Sequence, residues 1–242
     1  MTVPYPVVVA VIPALDEELA IFSVVERLRD ALPGLDRVIV VDNGSTDATA
    51  ARAEAAGATV VAEPIRGYGR ACRAGLKAAG TADVILLLDG DGADDAGDFG
   101  RVLAPVAGGS ADLCVGARGR ARRASGAMTP QQLLGNRLAS AIIRRYYRLA
   151  VTDPGPLRAI RRTALLRMEM SEMTYGWTIE MTAKAGRLGL RYVEVPVTYR
   201  ARLGRSKVGG TVRGSVGAGV AILTTLWRHR NWQPAVPTAV GR

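Results

Sequence analysis

Residues 85–95 read ILLLDGDGADD. Four aliphatic side chains in a row, Ile85 to Leu88, suit a strand buried on both faces of a sheet. The strand then runs into four aspartates within seven residues, Asp89, Asp91, Asp94 and Asp95. Like charges repel, and the end of a buried strand is partly desolvated, so packing gives no reason to crowd carboxylates there. A positive partner is expected, either a metal ion or basic side chains.

Working outward, the first half of the chain alternates strand and helix patterns. Val7–Ile12, Arg37–Val41, Thr59–Ala62, Val84–Leu88 and Leu113–Val115 read as strands. Glu17–Leu32, Thr46–Ala56 and Gly69–Ala79 read as helices between them. Continuous apolar strands alternating with helices predict an α/β fold with a mostly parallel sheet flanked by helices on both faces. Ligands of such sheets bind beyond the carboxyl ends of the strands, where Pro13, Asp42, Glu63 and Asp89 converge. From about residue 118 the pattern changes to an arginine- and glycine-rich loop, a basic helix over 130–149, a turn at Asp153–Pro156, further helices and a strand at Leu190–Val195. One domain over 1–232 is expected, with a donor half (1–117), an acceptor half (118–232) and a disordered Pro/Ala-rich tail from 233.

Composition narrows the function. The formal charge is +10, and between Arg118 and Arg148 eight arginines fall with no acidic residue. Such a patch implies an anionic partner, and arginine suits a bidentate grip on phosphate. His229 is the only histidine, which argues against a His-based zinc site or a serine–histidine hydrolase. Cys72 and Cys114 fit no metal spacing and read as buried, reduced thiols of a cytoplasmic protein. No signal peptide and no membrane span is expected, since Gly214–Trp227 is short for a crossing.

Three motifs sit at strand ends or ahead of a helix. In DGD (89–91), carboxylates one residue apart can turn toward one divalent ion; the alternative is an ordinary acidic turn. Asp94 and Asp95 are expected to cap the next helix. In VVDNGSTD (40–47), turn chemistry accounts for Asn-Gly-Ser-Thr but not for Asp42, which suits a nucleoside hydroxyl or base N–H. RGYGRACRAG (66–75) puts Gly67 and Gly69 before a helix, where backbone can approach a ligand; Cys72 stands where a dinucleotide fingerprint needs its third glycine.

Together with PALDEE (13–18), VGAR (115–118), TDPGPLRAIRR (152–162), YGWTIEMTAKA (175–185) and VPVTYRARLGRSK (195–207), these stretches resemble the inverting family 2 glycosyltransferases of GT-A fold. The resemblance is strongest to the polyprenyl (dolichyl) phosphate sugar synthase branch and spans roughly residues 5 to 210. It implies that Pro13, Leu15, Glu17 and Asp42 hold the nucleoside of a UDP- or GDP-linked sugar, and that Gly67 lies against the donor. It implies that Asp89 and Asp91 bind the donor diphosphate through Mg²⁺ or Mn²⁺, Asp91 being catalytic, while Arg118, Arg202, Ser206 and Lys207 meet phosphate groups. The sequence departs from the family pattern at Asp16, where an Asn is usual and the change is tolerable, and at Ala93 and Gly155-Pro156-Leu157-Arg158, which weaken a mannose-specific reading.

A lipid phosphate acceptor is already an anionic nucleophile and needs cationic positioning. A hydroxyl acceptor, on a glycan or small molecule, would need a general base, and Glu180 is the candidate; the alternative is a helix-surface carboxylate paired with Lys184 at i+4. The helix around Arg144, Arg145 and Arg148 and the segment 214–230 are amphipathic, suited to the inner membrane face or to a homodimer interface. A nucleotidyltransferase would carry a basic glycine-rich loop after the first strand, where PALDEE is acidic. A nucleic-acid-binding module would have no use for four clustered aspartates, so no nucleic-acid partner is expected.

Overall fold

The structure is a computed structural model that describes residues 5–119, 122–204 and 212–234, without side chains over 212–218. The expected tail lies outside the described residues from position 235, as do Ser206 and Lys207. Every strand expected from the sequence forms: β1 Val8–Ala14, β2 Arg37–Asp42, β3 Thr59–Ala62, β4 Val84–Leu87, β5 Leu113–Ala117 and, late in the chain, β7 Tyr192–Pro196. One strand that the sequence reading did not include, β6 Arg158–Arg161, completes a seven-stranded sheet in the order β3-β2-β1-β4-β6-β5-β7. β6 runs antiparallel to both neighbours, β4 and β5; every other pairing is parallel. It thus welds the first half of the chain to the second.

Side chains alternate across a strand, so each buried strand feeds two cores. Val8, Ala10 and Ile12 point with Val40, Leu86 and Leu88 toward α1 (Ile21–Ala31), α2 (Thr49–Ala55) and α4 (Ala96–Ala107). Val9 and Val11 point with Ile39, Leu87 and Val115 the other way. There they meet α3 (Tyr68–Ala78), α5 (Pro130–Tyr147), α6 (Arg162–Met168), α7 (Trp177–Arg187) and α8 (Val212–His229). Cys72 and Cys114 are buried free thiols, one in each core. Burial at roughly 1.5–3 kcal/mol per large aliphatic side chain makes these two layers the main source of stability.

Helix ends follow the sequence in most places. Thr129 and Gln132 form a capping box ahead of Pro130 at the start of α5. Asp95 caps α4, its carboxylate accepting from the Gly97 N–H, as expected. Asp94 does not cap: it is buried beside Asp89 and Asp91. α1 begins at Ile21 rather than Glu17, because residues 18–20 turn first and the Glu17 carbonyl accepts from both Ala20 and Ile21.

Candidate active site

A cavity of about 600 Å³ opens beyond the carboxyl ends of β1, β2 and β4, within the size range of small-molecule sites. Pro13, Leu15 and Glu17 line it from the end of β1, and Gly67 from the start of α3. Asp89 and Asp91 line it from the end of β4, and Arg118 and Arg202 from the second half of the chain. Residues from separate motifs therefore share one cavity. Asp42 does not line it; its carboxylate accepts from the Ser45 N–H at 3.0 Å and closes the turn after β2. Asn43, passed over as a turn residue, does line the cavity. Its Nδ2 donates to the Glu63 and Ile65 carbonyls and its Oδ1 accepts from Gly67 N–H at 2.7 Å, so it ties the β2 end to the α3 entry.

The acidic corner has a definite electrostatic state. Burial and then the neighbouring Asp91 push the Asp89 carboxyl up to about 6, while the Tyr68 hydroxyl, donating at 3.0 Å, pulls the other way. Burial and the charges on Asp89 and Asp91 also raise Asp94 well above the usual carboxylate range. Its Oδ1 has no hydrogen-bond partner among the described residues. Arg202 reaches in between Glu17 Oε1 at 2.8 Å and Asp91 Oδ2 at 3.3 Å. Backbone bonds from Leu203 N–H to the Asp91 carbonyl and from Arg200 N–H to the Ala93 carbonyl hold that segment in place.

Arg118 is differently disposed. Its Nε and Nη2 grip Asp153 bidentately at 2.7 and 2.9 Å, and its own N–H donates to the same carboxylate. Burial opposes the charge on both partners, yet the pair wins: Asp153 is held below the usual carboxylate range and Arg118 is pushed further up. Asn136 of α5 donates to Asp153 as well, at 2.9 Å. Arg118 therefore has its Nε and Nη2 committed to Asp153, while its charge still draws down the Asp89 and Asp94 carboxyls. The wall beyond it is mostly apolar, built from Pro154, Pro156, Tyr175, Ile179 and Ile222, with Asn136 and Thr178 as its uncharged polar members.

That wall is held by Arg158 of β6, which is fully buried. Its guanidinium donates to the Thr178, Pro154 and Gly155 carbonyls, linking the first turn of α7 to the 153–156 loop. Close backbone contact fixes the other side. The Met173 carbonyl accepts from Arg70 N–H at 3.1 Å, and a Cβ on Gly69 would sit 2.2 Å from the Glu172 carbonyl oxygen. Gly67 and Gly69 thus admit backbone of the acceptor half rather than ligand alone. Gly69→Ala is expected to cost about 1–3 kcal/mol, as overpacking does; a urea midpoint compared with that of Gly34→Ala, where a Cβ meets nothing within 4 Å and φ is not positive, checks it.

Residues 9–168 match the model of glycosyl transferase family 2. The chain belongs to that family. This family 2 enzyme is 40% identical over 218 residues to an uncharacterized glycosyltransferase of Mycobacterium tuberculosis, covering 89% of this chain and 94% of that one. It is 32% identical to the undecaprenyl-phosphate mannosyltransferase of Micrococcus luteus over 93% and 96% of the two chains. Among solved structures, it resembles glucosyl-3-phosphoglycerate synthase from M. tuberculosis in complex with Mn²⁺, UDP and glucosyl-3-phosphoglycerate, with a TM-score of 0.74 and 25% identity over 95% and 82% of the chains. The fold is GT-A, and the activity is that of a glycosyltransferase; a nucleotidyltransferase or a non-catalytic basic module is set aside.

Glu180 is placed otherwise than a base for a cavity hydroxyl requires. It is fully buried in α7 and absent from the cavity wall. Its carboxylate pairs with Lys184 Nζ at 2.7 Å and accepts from Ser171 N–H, Ser171 Oγ and Glu172 N–H. Burial would raise its pKa, but Lys184 and these donors hold it below the usual range. The i+4 partner is the one the sequence named, in the core rather than on the surface.

Proposed function

We propose that this family 2 enzyme transfers a sugar from a nucleoside diphosphate donor, UDP- or GDP-linked, to a polyprenyl phosphate. The observation that carries the acceptor is the apolar wall of Pro154, Pro156, Ile179 and Ile222 beyond an arginine already committed to Asp153. A small multiply charged acceptor would need further cations at that end, and none lines it among the described residues, whereas an isoprenoid chain suits the wall as it is. The likeness to an undecaprenyl-phosphate mannosyltransferase supports the same reading.

On this reading residues 1–232 act as one catalytic unit. Pro13, Leu15, Glu17 and Asn43 receive the nucleoside, with Asp42 bracing the turn behind them. Asp89 and Asp91 would hold Mg²⁺ or Mn²⁺. The fit rests on charge: three crowded carboxylates, one with an unpartnered buried oxygen among the described residues, face only Arg202 and an Arg118 whose Nε and Nη2 are held by Asp153. Among the described residues there is no third His, Cys, Asp or Glu arranged to complete a protein-only cage. Two carboxylates plus substrate phosphates and water is the arrangement a hard divalent ion prefers. Bound there, the ion supplies Lewis-acid neutralisation of the charge developing on the leaving diphosphate.

Arg202 adds a second positive group at the same edge, poised to follow that charge. Tyr68 fixes the Asp89 carboxylate by its hydroxyl. The acceptor phosphate oxygen forms the new bond to the anomeric carbon as the bond to the diphosphate oxygen breaks. The electron pair leaves on the nucleoside diphosphate, and no proton has to move. Glu180 is not asked to act as a base.

The test offers labelled UDP- and GDP-sugars with Mn²⁺ and a short polyprenyl phosphate, or with 3-phosphoglycerate. Label is expected in the organic phase with the prenyl phosphate and absent from it without. Label carried only by phosphoglycerate, or only as free sugar, would overturn the acceptor assignment.

A further inference from the structure

We propose that the outward face of α5 and α8 is a docking surface for an anionic lipid bilayer, an inference that rests on the polyprenyl phosphate reading. Six of the fourteen large hydrophobic side chains exposed among the described residues lie on these two helices. On α5 they are Leu134, Leu138 and Tyr146; on α8 they are Val220, Leu223 and Trp227, the last 67% exposed. Spacings of three and four residues put the α8 set along one side of its helix, and a spacing of four does the same for Leu134 and Leu138 of α5, with Tyr146 farther round the same helix two turns on.

The helices are packed together, the Tyr147 hydroxyl of α5 donating to the Leu226 carbonyl of α8 at 2.6 Å. Neither carries an acidic residue, and Arg137, Arg144, Arg145, Arg148, Arg228 and Arg230 are all exposed. Apolar side chains mixed with arginines on an outward face do not suit water. Nor do they suit a second copy of the same face, which would bring like charges together. They do suit a bilayer interface, where apolar groups enter the acyl boundary and guanidinium groups reach anionic headgroups. Two aromatic rings sit against arginines, Tyr146 with Arg145 at 5.7 Å and Trp227 with Arg230 at 3.6 Å. An amphipathic ring beside a cation fits the level of the headgroups.

Among the described residues no helix is long and apolar enough to cross a membrane, so the contact is one of lying on the surface. The same two helices border the cavity, through Asn136 of α5 and Ile222 of α8. Docking by this face would bring the apolar end of the site to where a polyprenyl phosphate resides.

Co-sedimentation of the full chain with phosphatidylcholine vesicles, with and without phosphatidylglycerol, tests the proposal. Strong binding only to the anionic vesicles, weakened by salt, is the expected result. Leu223→Ser with Trp227→Ala should lower that binding roughly tenfold or more, while transfer to a water-soluble short-chain prenyl phosphate changes by less than about threefold. Leu134→Ser with Leu138→Ser gives an independent variant on the other helix, and thermal melts confirm that both fold. Failure of the wild-type chain to bind anionic vesicles, or variants that bind as it does, would overturn the docking face. So would a concentration-dependent dimer that the same substitutions abolish, since the occupant would then be a second copy. A chain that makes lipid-linked sugar in water yet ignores vesicles sinks this inference alone. Vesicle binding without any lipid-linked product sinks the acceptor reading instead.

Discussion

Asp91→Asn is expected to lower kcat/KM for sugar transfer by about a thousandfold, roughly 4 kcal/mol of transition-state stabilisation, with the fold intact. The substitution is isosteric and keeps an oxygen for the Ala93 N–H, which Asp91 Oδ1 accepts at 3.0 Å. It removes one negative charge from a corner where the charge on Asp91 raises the proton affinity of both Asp89 and Asp94. Stability should therefore hold or rise slightly, which separates this loss of activity from unfolding. Two readouts give the cause. Mn²⁺ affinity by electron paramagnetic resonance should fall, and nucleoside diphosphate binding with Mn²⁺ should drop to the level seen with EDTA. Unchanged turnover in a metal-replete assay would remove the carboxylate pair from the mechanism and leave Arg202 as the principal counter-charge to the leaving group.

How much of this was legible in the sequence follows from what each residue does. β1, β2 and β4 are buried on both faces, so they read as unbroken aliphatic runs, and the polar residues that end them stand out. That contrast exposed Pro13 and Asp89, with Asp91 in the same turn, but also Asp42 and Glu63, which stay out of the cavity wall; Glu17 came from the family resemblance. β6 was hidden because its sequence, Arg158-Ala-Ile-Arg161, begins and ends in arginine and follows two prolines. A guanidinium in a strand core looks wrong until the Thr178, Pro154 and Gly155 carbonyls that receive it are known. Asn43 and Asp42 exchanged their expected parts for a similar reason. An Asn-Gly pair signals a turn, and nothing local tells that the Asn side chain reaches three backbone groups some twenty positions on. Asp94 gave the same signal as Asp95, a helix cap, and only the approach of β4's end and Tyr199 buries it. Spacing identifies partners along one element. It does not tell how deep that element lies.

Glu180 is where depth decides between two mechanisms, and its variants should separate them. Glu180→Ala is expected to cost about 3–5 kcal/mol, because it leaves the Lys184 ammonium buried without its counter-ion. In a chain of this size that lowers the melting temperature by roughly 10 °C. Replacing both partners, Glu180→Gln with Lys184→Met, should recover most of the loss, since an uncharged pair leaves no stranded ion. The pH dependence has a definite sign. The folded protein holds Glu180 below its ordinary range, so its stabilisation is complete above the unfolded carboxylate value of about 4.3 and drains away as pH falls toward the depressed folded value. Glu180→Gln should therefore flatten the acid limb of the stability curve below about pH 5 relative to wild type. Activity supplies the discriminating arm. The carboxylate orders residues 171–172, whose backbone abuts Gly69 at the donor helix and leads to Tyr175 in the cavity wall. Per folded molecule, Glu180→Gln should keep turnover within about tenfold of wild type, with the change falling on acceptor KM, since no proton is taken from a phosphate nucleophile. If turnover instead fell by about a hundredfold to ten-thousandfold, the range general-base catalysis supplies, with binding and melting preserved, Glu180 would return to the chemistry. The acceptor would then be a hydroxyl rather than a phosphate.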